Sequence, residues 1–231
     1  IVNTVAIFVG GLAGLLLRGG IKEKYKTIIN QAIALSVLAL GLSGAIGNML
    51  AEGAHPVLFI ISLVVGGVLG ELIGIEAGLE KLGNWLQARV KLRPGMGDIS
   101  TGFVAASLLF CVGTMAVLGP LDSGLKGDHS VLFAKSTLDG ITAVVMASTL
   151  GVGVLFSAAS VFAYQGALTL LAVWVSTFVT ADMMREISIV GGLMIAAIGV
   201  KMLGLNKIKV GNLLPAILGP VVCSLVLGMF A

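Results

Sequence analysis

The sequence predicts an all-α, polytopic membrane protein, a bundle of about eight transmembrane helices with an inverted-topology internal repeat. Two observations predict this fold class. The chain has 231 residues, of which 58% are apolar and 11% charged, whereas a soluble domain is roughly a quarter charged and less than half apolar. Several apolar runs also approach the ~20 residues that a helix needs to cross the hydrocarbon core. Eight spans leave no room for a separate soluble domain, so we expect a single membrane domain over residues 1–231.

The apolar runs between helix-breaking residues define the predicted spans. Their bounds are 4–17, 28–48, 57–75, 99–119, 133–156, 160–179, 188–204 and 212–230. The fifth and sixth spans are separated only by small and polar residues at 157–160, so one long broken helix or a re-entrant hairpin is the alternative there. Between the third and fourth spans, residues 76–92 place leucines on one helical face and charges elsewhere, which predicts an amphipathic helix in the interface.

Glycine is abundant, with 33 residues in the chain. Gly10 and Gly14, and likewise Gly66 and Gly70, are four residues apart within apolar runs. This spacing predicts helices that pack closely through small residues. The same faces are compatible with a homodimer, because sequence does not distinguish self-association from packing within one chain.

Lysine and arginine set the predicted orientation, because they are retained on the cytoplasmic side of a membrane. They concentrate in the connections after the first, third and seventh spans, at 18–26, 81–93 and 201–209. Both termini are therefore expected to face outward. The basic residues are confined to a few short segments between apolar runs and are interpreted as topology signals, so nucleic acid is not expected as a partner despite a pI of about 9.0. The start, Ile1-Val2-Asn3-Thr4, has no basic region before it, so no removable signal peptide is expected and the first span is expected to be retained.

An internal repeat relates the second and third predicted spans to the seventh and eighth. A shift of about 158 residues aligns Gly41 with Gly199 and Asn48 with Asn206. The connections that correspond under this shift differ in charge, so the matching segments would be inverted relative to each other. The repeat-like halves are then about 1–78 and 160–231, with the central spans at 98–158.

Ionisable and polar residues inside spans are functional candidates by default, because burying them in a membrane is costly. Lys135 and Asp139 are four residues apart and share a helix face. Asp139 could bind a cation or proton and Lys135 a substrate anion, or the two could form an ion pair near the outer interface. Glu71 could be a protonation site or a cap of the bundle. The complete set of substrate- or ion-binding candidates is Lys135, Ser136, Asp139, Thr142, Gln165, Thr169, Glu71, Thr114 and Asn30.

Enzymatic chemistry is not expected. The histidines, His55 and His129, fall in predicted connections, and the chain contains neither H-E-x-x-H nor G-x-S-x-G. Cys111 and Cys223 are isolated within apolar runs, so no catalytic residue, metal site or cofactor is predicted. Residues 119–124, Gly-Pro-Leu-Asp-Ser-Gly, predict either the break of a discontinuous transporter helix or a surface turn.

Several motifs together resemble the YdfK/YqgA-type family of bacterial multi-pass inner-membrane proteins, domain of unknown function family 554. The motifs are Ile1-Val2-Asn3-Thr4 with Gly10-Gly11, residues 113–119 with Asp122 and Gly124, Lys135-Ser136 through Asp139-Gly140, and Tyr164-Gln165-Gly166. The resemblance covers nearly the whole chain and implies a bacterial cytoplasmic membrane, but no substrate. The family often has proline after the glycine of the fourth span, but this chain has Thr114 at that position. The resemblance therefore does not imply a proline kink there.

The sequence therefore favours a small secondary transporter with inverted repeats, which moves a small solute or ion by alternating access through a site formed by spans four to six. A channel is a second hypothesis, although it requires a continuous polar lining that the scattered polar stripes do not supply. A third is a non-transporting scaffold or regulatory partner protein. The expected partners are the lipid bilayer and a solute or ion of unknown identity.

Overall fold

The computed structural model describes residues 1–18, 23–89, 99–111, 114–176, 180–205 and 208–227. These residues are helical with short turns, and no strand occurs among them, which confirms the predicted all-α class. The helices in chain order are α1 (Val2–Arg18), α2 (Glu23–Met49), α3 (Pro56–Ile73), α4 (Ile75–Arg89), α5 (Ile99–Cys111), α6 (Thr114–Lys126), α7 (Ser130–Leu150), α8 (Gly153–Leu170), α9 (Ala172–Ser176), α10 (Ala181–Met202), the 3₁₀ helix η1 (Val210–Leu218) and α11 (Gly219–Leu227).

Five of the described helices are long and apolar enough to cross a membrane: α2 from Thr27, α3, α7, α8 and α10. A sixth span results if α5 and α6, bent by 56°, are counted together. Two shorter apolar helices also occur among the described residues, α1 and the segment Val210–Cys223. These lie at the positions of the first and eighth predicted spans, and the predicted total of about eight stays a prediction.

The described residues divide into two compact units. Unit 1 comprises Ile1–Ile33, Leu79–Cys111 and Met115–Thr177. Unit 2 comprises Ala34–Gly78, Val112–Thr114 and Phe178–Ala231.

Within unit 1, α1 packs against α7 and α8, and α5 packs against α8. Glycines allow the backbones to approach closely. A Cβ atom at Gly10 would overlap the carbonyl oxygen of Gly140, and a Cβ at Gly153 would overlap that of Ile99. Side chains larger than hydrogen would force these helices apart, so the glycines have a packing role here.

Within unit 2, α3 packs against η1 and α11. Gly66 and Gly70 face the backbone of Ala216 and Asn212, where a Cβ atom on either glycine would overlap main-chain atoms.

Local sequence signals determine where two helices of unit 2 begin. Pro56 occupies the first turn of α3, where a missing N–H costs no hydrogen bond. At α10, the Thr180 side chain accepts a hydrogen bond from the Met183 N–H at 3.2 Å.

The break between α7 and α8 lies at Gly151, so the predicted boundary near 157–160 is wrong. Gly151 has φ +88° and ψ −156°, a conformation that L side chains rarely adopt. Ser157 lies within α8, where its hydroxyl donates to the Val154 carbonyl at 2.6 Å. A serine satisfied by its own helix does not interrupt it.

Residues 119–124 lie inside α6 rather than at a break or a surface turn, with Pro120 within the helix. The two glycines of this segment have a packing role. A Cβ at Gly119 would lie 3.0 Å from the Leu132 side chain, and one at Gly124 would overlap the Thr169 carbonyl oxygen. The predicted fourth span, 99–119, corresponds to α5 and the first part of α6, two helices that are bent by 56° relative to each other, and α6 continues to Lys126.

The helix predicted at 76–92 corresponds to α4, which ends at Arg89; residues 90–92 lie outside the described part of the chain. Gly74, with φ +73° and ψ 42°, ends α3 and directs the chain into α4. This left-handed conformation is one that glycine adopts readily.

Candidate functional site

A buried polar cluster of unit 1 begins with an ion pair on α7. The Lys135 Nζ atom lies 3.0 Å from Asp139 Oδ1 and 2.9 Å from Oδ2. Both residues are only 7% exposed. The helical spacing of four residues brings them together, as the sequence predicts.

Two amide side chains from other helices complete this cluster. The Asn3 Nδ2 atom on α1 donates to Asp139 Oδ2 at 2.9 Å and to Gln165 Oε1 on α8 at 3.2 Å. Asn3 is 2% exposed and Gln165 is 7% exposed. We call Lys135, Asp139, Asn3 and Gln165 the polar cluster. The close approach of α1 to α7 at Gly10 and Gly140 places Asn3 within reach of Asp139.

A cavity of about 500 Å³ lies beside the polar cluster within unit 1. It is lined by Ile1, Val2, Asn3, Thr4, Ser123, His129, Leu132, Phe133, Phe162, Gln165, Gly166, Thr169 and Leu170. Two buried polar atoms of lining residues, Asn3 Oδ1 and Gln165 Nε2, have no hydrogen-bond partner within the described structure. Buried polar atoms are nearly always paired in proteins, so these two require explanation.

Polar groups also lie at one side of the cavity, near the connection between α6 and α7. The Ser123 hydroxyl and His129 Nδ1 are 2.9 Å apart, and the His129 ring packs edge-on against Phe133. The Ser130 main-chain N–H donates to Asp128 Oδ1 at 2.9 Å, which lowers the pKa of Asp128. Asp128 is therefore ionised at neutral pH.

Three of the predicted site hydroxyls donate to carbonyl groups of their own helices. These bonds run from Ser136 to Leu132, from Thr142 to Leu138 and from Thr169 to Gln165, at 2.6, 2.8 and 2.9 Å. Thr169 also lines the cavity. The side chains of two further candidates, Asn30 and Thr114, lie outside the described residues.

Glu71 belongs to unit 2, in a second group of charged residues. Its exposed carboxylate accepts hydrogen bonds from Lys209 Nζ and, at 2.5 Å, from Asn212 Nδ2. Both partners lie on the chain just before or within η1. Glu71 is thus held in an ion pair that joins the end of α3 to η1.

Glu76, which was not among the predicted site residues, connects three parts of unit 2. Its Oε1 atom accepts a hydrogen bond from Lys201 Nζ at 2.6 Å and its Oε2 atom from the Gly211 N–H at 2.6 Å. Its main-chain N–H donates to Asn212 Oδ1 at 2.7 Å. The sequence placed Glu76 on an interfacial helix, and its partners lie more than 120 residues away along the chain, so no local pattern indicates this role.

Glu186 is a second buried carboxylate that the sequence did not single out. It lies near the start of α10 and is 0% exposed, and its Oε1 atom accepts a hydrogen bond from the His55 N–H at 2.7 Å. Its Oε2 atom has no hydrogen-bond partner in the described parts of the chain. Glu186 falls in the predicted connection between the sixth and seventh spans, together with Asp182 and Arg185.

No cluster of three or more histidine, cysteine, aspartate or glutamate side chains that could hold a metal ion occurs among the residues described.

The family model for a protein family of unknown function, DUF554, matches residues 1–225 of the chain. The chain belongs to the DUF554 family. Among the relatives of this DUF554 protein is the uncharacterized membrane protein YdfK of Bacillus subtilis (strain 168), 38% identical over 230 residues, which cover 100% of this chain and 96% of YdfK. The uncharacterized protein YqgA of Escherichia coli (strain K12) is 28% identical over 221 residues, which cover 94% of this chain and 92% of YqgA. No solved structure matches with statistical significance. The name of YdfK and the apolar helices both support a membrane protein.

Proposed function

We propose that this DUF554 protein is a small secondary transporter, which moves a small solute or ion across the bacterial cytoplasmic membrane by alternating access. The observation that carries the proposal is the polar cluster at the wall of a cavity. An intramembrane ion pair is expensive to bury and contributes little net stability, because apolar residues of similar size often replace such a pair without loss. Its presence beside a cavity therefore favours a role in binding.

The packing of α2 against α10 supports an inverted repeat, the architecture typical of such transporters. In unit 2, a Cβ at Gly41 would overlap the main chain of Ala196, and a Cβ at Gly199 would lie 2.6 Å from the main-chain nitrogen of Leu38. These two contacts exchange under the sequence shift of 158 residues, since 41 + 158 is 199 and 38 + 158 is 196. A local two-fold axis between antiparallel helices would produce this reciprocal pattern.

In the proposed mechanism, Asp139 and Lys135 hold charge within the membrane while the amides of Asn3 and Gln165 contact the solute. Asp139 is the candidate to exchange a coupling proton or cation, because it is the only member of the polar cluster with a negative charge. We place the protein in the cytoplasmic membrane, with both termini outside, on the basis of the lysine and arginine bias. A channel and a non-transporting partner protein are the alternatives that the following experiment separates.

The test uses a single cysteine at position 162 in a background with Cys111→Ala and Cys223→Ala. Phe162 lines the cavity and is half exposed, so Phe162→Cys reports access to it. Right-side-out and inside-out vesicles are treated with a membrane-impermeant maleimide. The control is Leu125→Cys, an exposed position at the end of α6 that does not line the cavity.

A transporter that alternates its access is labelled at position 162 from both sides, whereas the control at position 125 is labelled from one side only. Planar bilayers that contain the protein then show no steady conductance. Labelling from both sides with steady conductance would replace the proposal by a channel. Labelling from one side only would contradict transport and favour a partner-protein role.

A further inference from the structure

The orientation of the amide groups in the polar cluster follows from the charge on Asp139. A carboxylate paired with lysine only accepts hydrogen bonds, so Asn3 must present its Nδ2 group to Asp139. The second hydrogen of the same Nδ2 points at Gln165, which must present Oε1 in return. These hydrogen bonds leave Asn3 Oδ1 and Gln165 Nε2 unused. Neither atom has a partner in the described structure, as this assignment of the amide groups requires.

The two remaining atoms are complementary in kind. Asn3 Oδ1 accepts a hydrogen bond and Gln165 Nε2 donates one, and both side chains are more than nine-tenths buried and line the cavity. The amide groups are adjacent, because Asn3 Nδ2 lies 3.2 Å from Gln165 Oε1. A ligand that satisfies both atoms must therefore present a donor and an acceptor side by side. A primary carboxamide does so within one planar group.

Charge and shape restrict the ligand further. The ion pair of Lys135 and Asp139 has no net charge, and a charged ligand group would be buried against it without a counter-charge. Much of the remaining lining is apolar, with Leu132, Phe133 and Phe162 among the lining residues. The cavity thus fits an uncharged polar head on an apolar body.

We infer that the cavity binds a small uncharged molecule that carries a primary carboxamide on an apolar body. This inference rests on the proposed function, because it names the class of solute that the transporter would move. Both protein atoms are covered in this structure, so the two amide groups turn toward the cavity when the ligand binds. The carboxamide nitrogen then donates to Asn3 Oδ1, and the carboxamide oxygen accepts from Gln165 Nε2. The apolar body lies against the phenylalanine rings.

The test compares three compounds with the same aromatic ring but different polar groups. Benzamide supplies a donor and an acceptor, acetophenone supplies an acceptor alone, and benzoate carries a negative charge. The dissociation constants are obtained from the rise in melting temperature of the purified, full-length protein in detergent, as a function of ligand concentration. We expect benzamide to bind about tenfold more tightly than either of the other compounds.

Substitution of Gln165 examines the donor directly. Gln165→Leu removes Nε2 and should raise the dissociation constant of benzamide about tenfold. The control, Thr137→Val, removes an exposed hydroxyl of α7 that donates to the Phe133 carbonyl at 3.2 Å, and it should leave the constant unchanged. If Gln165→Leu does not fold, Gln165→Glu retains the side-chain length and the acceptor for Asn3. It should lose benzamide and bind benzamidine, which offers donors only.

Equal affinities for benzamide and acetophenone, tighter binding of benzoate, or an unchanged benzamide constant in Gln165→Leu would each overturn the inference. The maleimide experiment on position 162 is independent of these measurements. Access from both sides without benzamide binding would overturn the solute class and leave transport standing. Benzamide binding with access from one side would retain the site and overturn transport.

Discussion

Removal of one partner of the buried ion pair should destabilise the protein far more than removal of both. Lys135→Met leaves Asp139, 7% exposed, as an uncompensated charge, and its remaining hydrogen bond within the described part of the chain comes from Asn3. Loss of one partner of a buried pair typically costs about 3–5 kcal/mol. At roughly 2–4 °C per kcal/mol for a chain of this size, the melting temperature should fall by about 6–20 °C.

The double variant Lys135→Met/Asp139→Leu removes both charges and keeps a similar volume. Asn3 loses one acceptor and retains Gln165 Oε1 at 3.2 Å, a net cost of about 1 kcal/mol. Most of the stability should therefore return. The assay is the melting temperature of detergent-purified protein, measured by loss of the monodisperse peak in size-exclusion chromatography after heating.

An exposed pair with the same spacing provides the control. Lys126 Nζ lies 2.8 Å from Asp122 Oδ1, also at four residues' separation, and the lysine side chain is 69% exposed. Lys126→Met should change the melting temperature little, because solvent already screens this pair. The reasoning is refuted if Lys135→Met is as mild as Lys126→Met, or if the double variant is as unstable as the single one.

Two further predictions concern unit 2. Gly41→Ala and Gly199→Ala should lower the melting temperature by similar amounts, since each new methyl group meets main-chain atoms of the facing helix. Gly44→Ala should not lower it, because no atom beyond the local backbone of its own helix lies within 4 Å of the new Cβ. Unequal losses at positions 41 and 199 would argue against the two-fold relation. Glu76→Gln should lower the free energy of unfolding by about 1.5–3 kcal/mol, because the carboxylate that accepts hydrogen bonds from Lys201 and from a main-chain N–H is lost. Stability equal to that of the unsubstituted protein would show that these bonds contribute nothing.

The fold class could be predicted from the sequence because the bilayer limits a chain of this composition to a few structures. The boundaries between helices were less predictable. Small residues occur both at Gly151 and Gly153 and at 157–160, and the positive φ of Gly151 shows where the chain breaks. Likewise, residues 119–124 have the composition of a turn, but they lie within α6. Gly119 and Gly124 are needed there because α7 and α8 pack closely against them.

The candidate site was predictable only where its residues are neighbours on one helix. Lys135 and Asp139 are separated by one helical turn, so their pairing follows from spacing alone. Asn3 is 136 residues from Asp139 along the chain, carries no charge and lies just before the first predicted span, so no sequence pattern marks it. Its role depends on the tertiary packing of α1 against α7, as the role of Glu76 depends on the position of η1.

The most direct test of the central claim, that the polar cluster governs alternating access, compares labelling at position 162 with and without the Asp139 charge. If one two-state equilibrium determines access, the fractions open to each side sum to one, so a shift toward one state must decrease the other. We predict that Asp139→Asn, in the cysteine background described above, raises the maleimide labelling rate of Phe162→Cys from one side and lowers it from the other. Unchanged rates from both sides, or rates that rise together, would contradict the account.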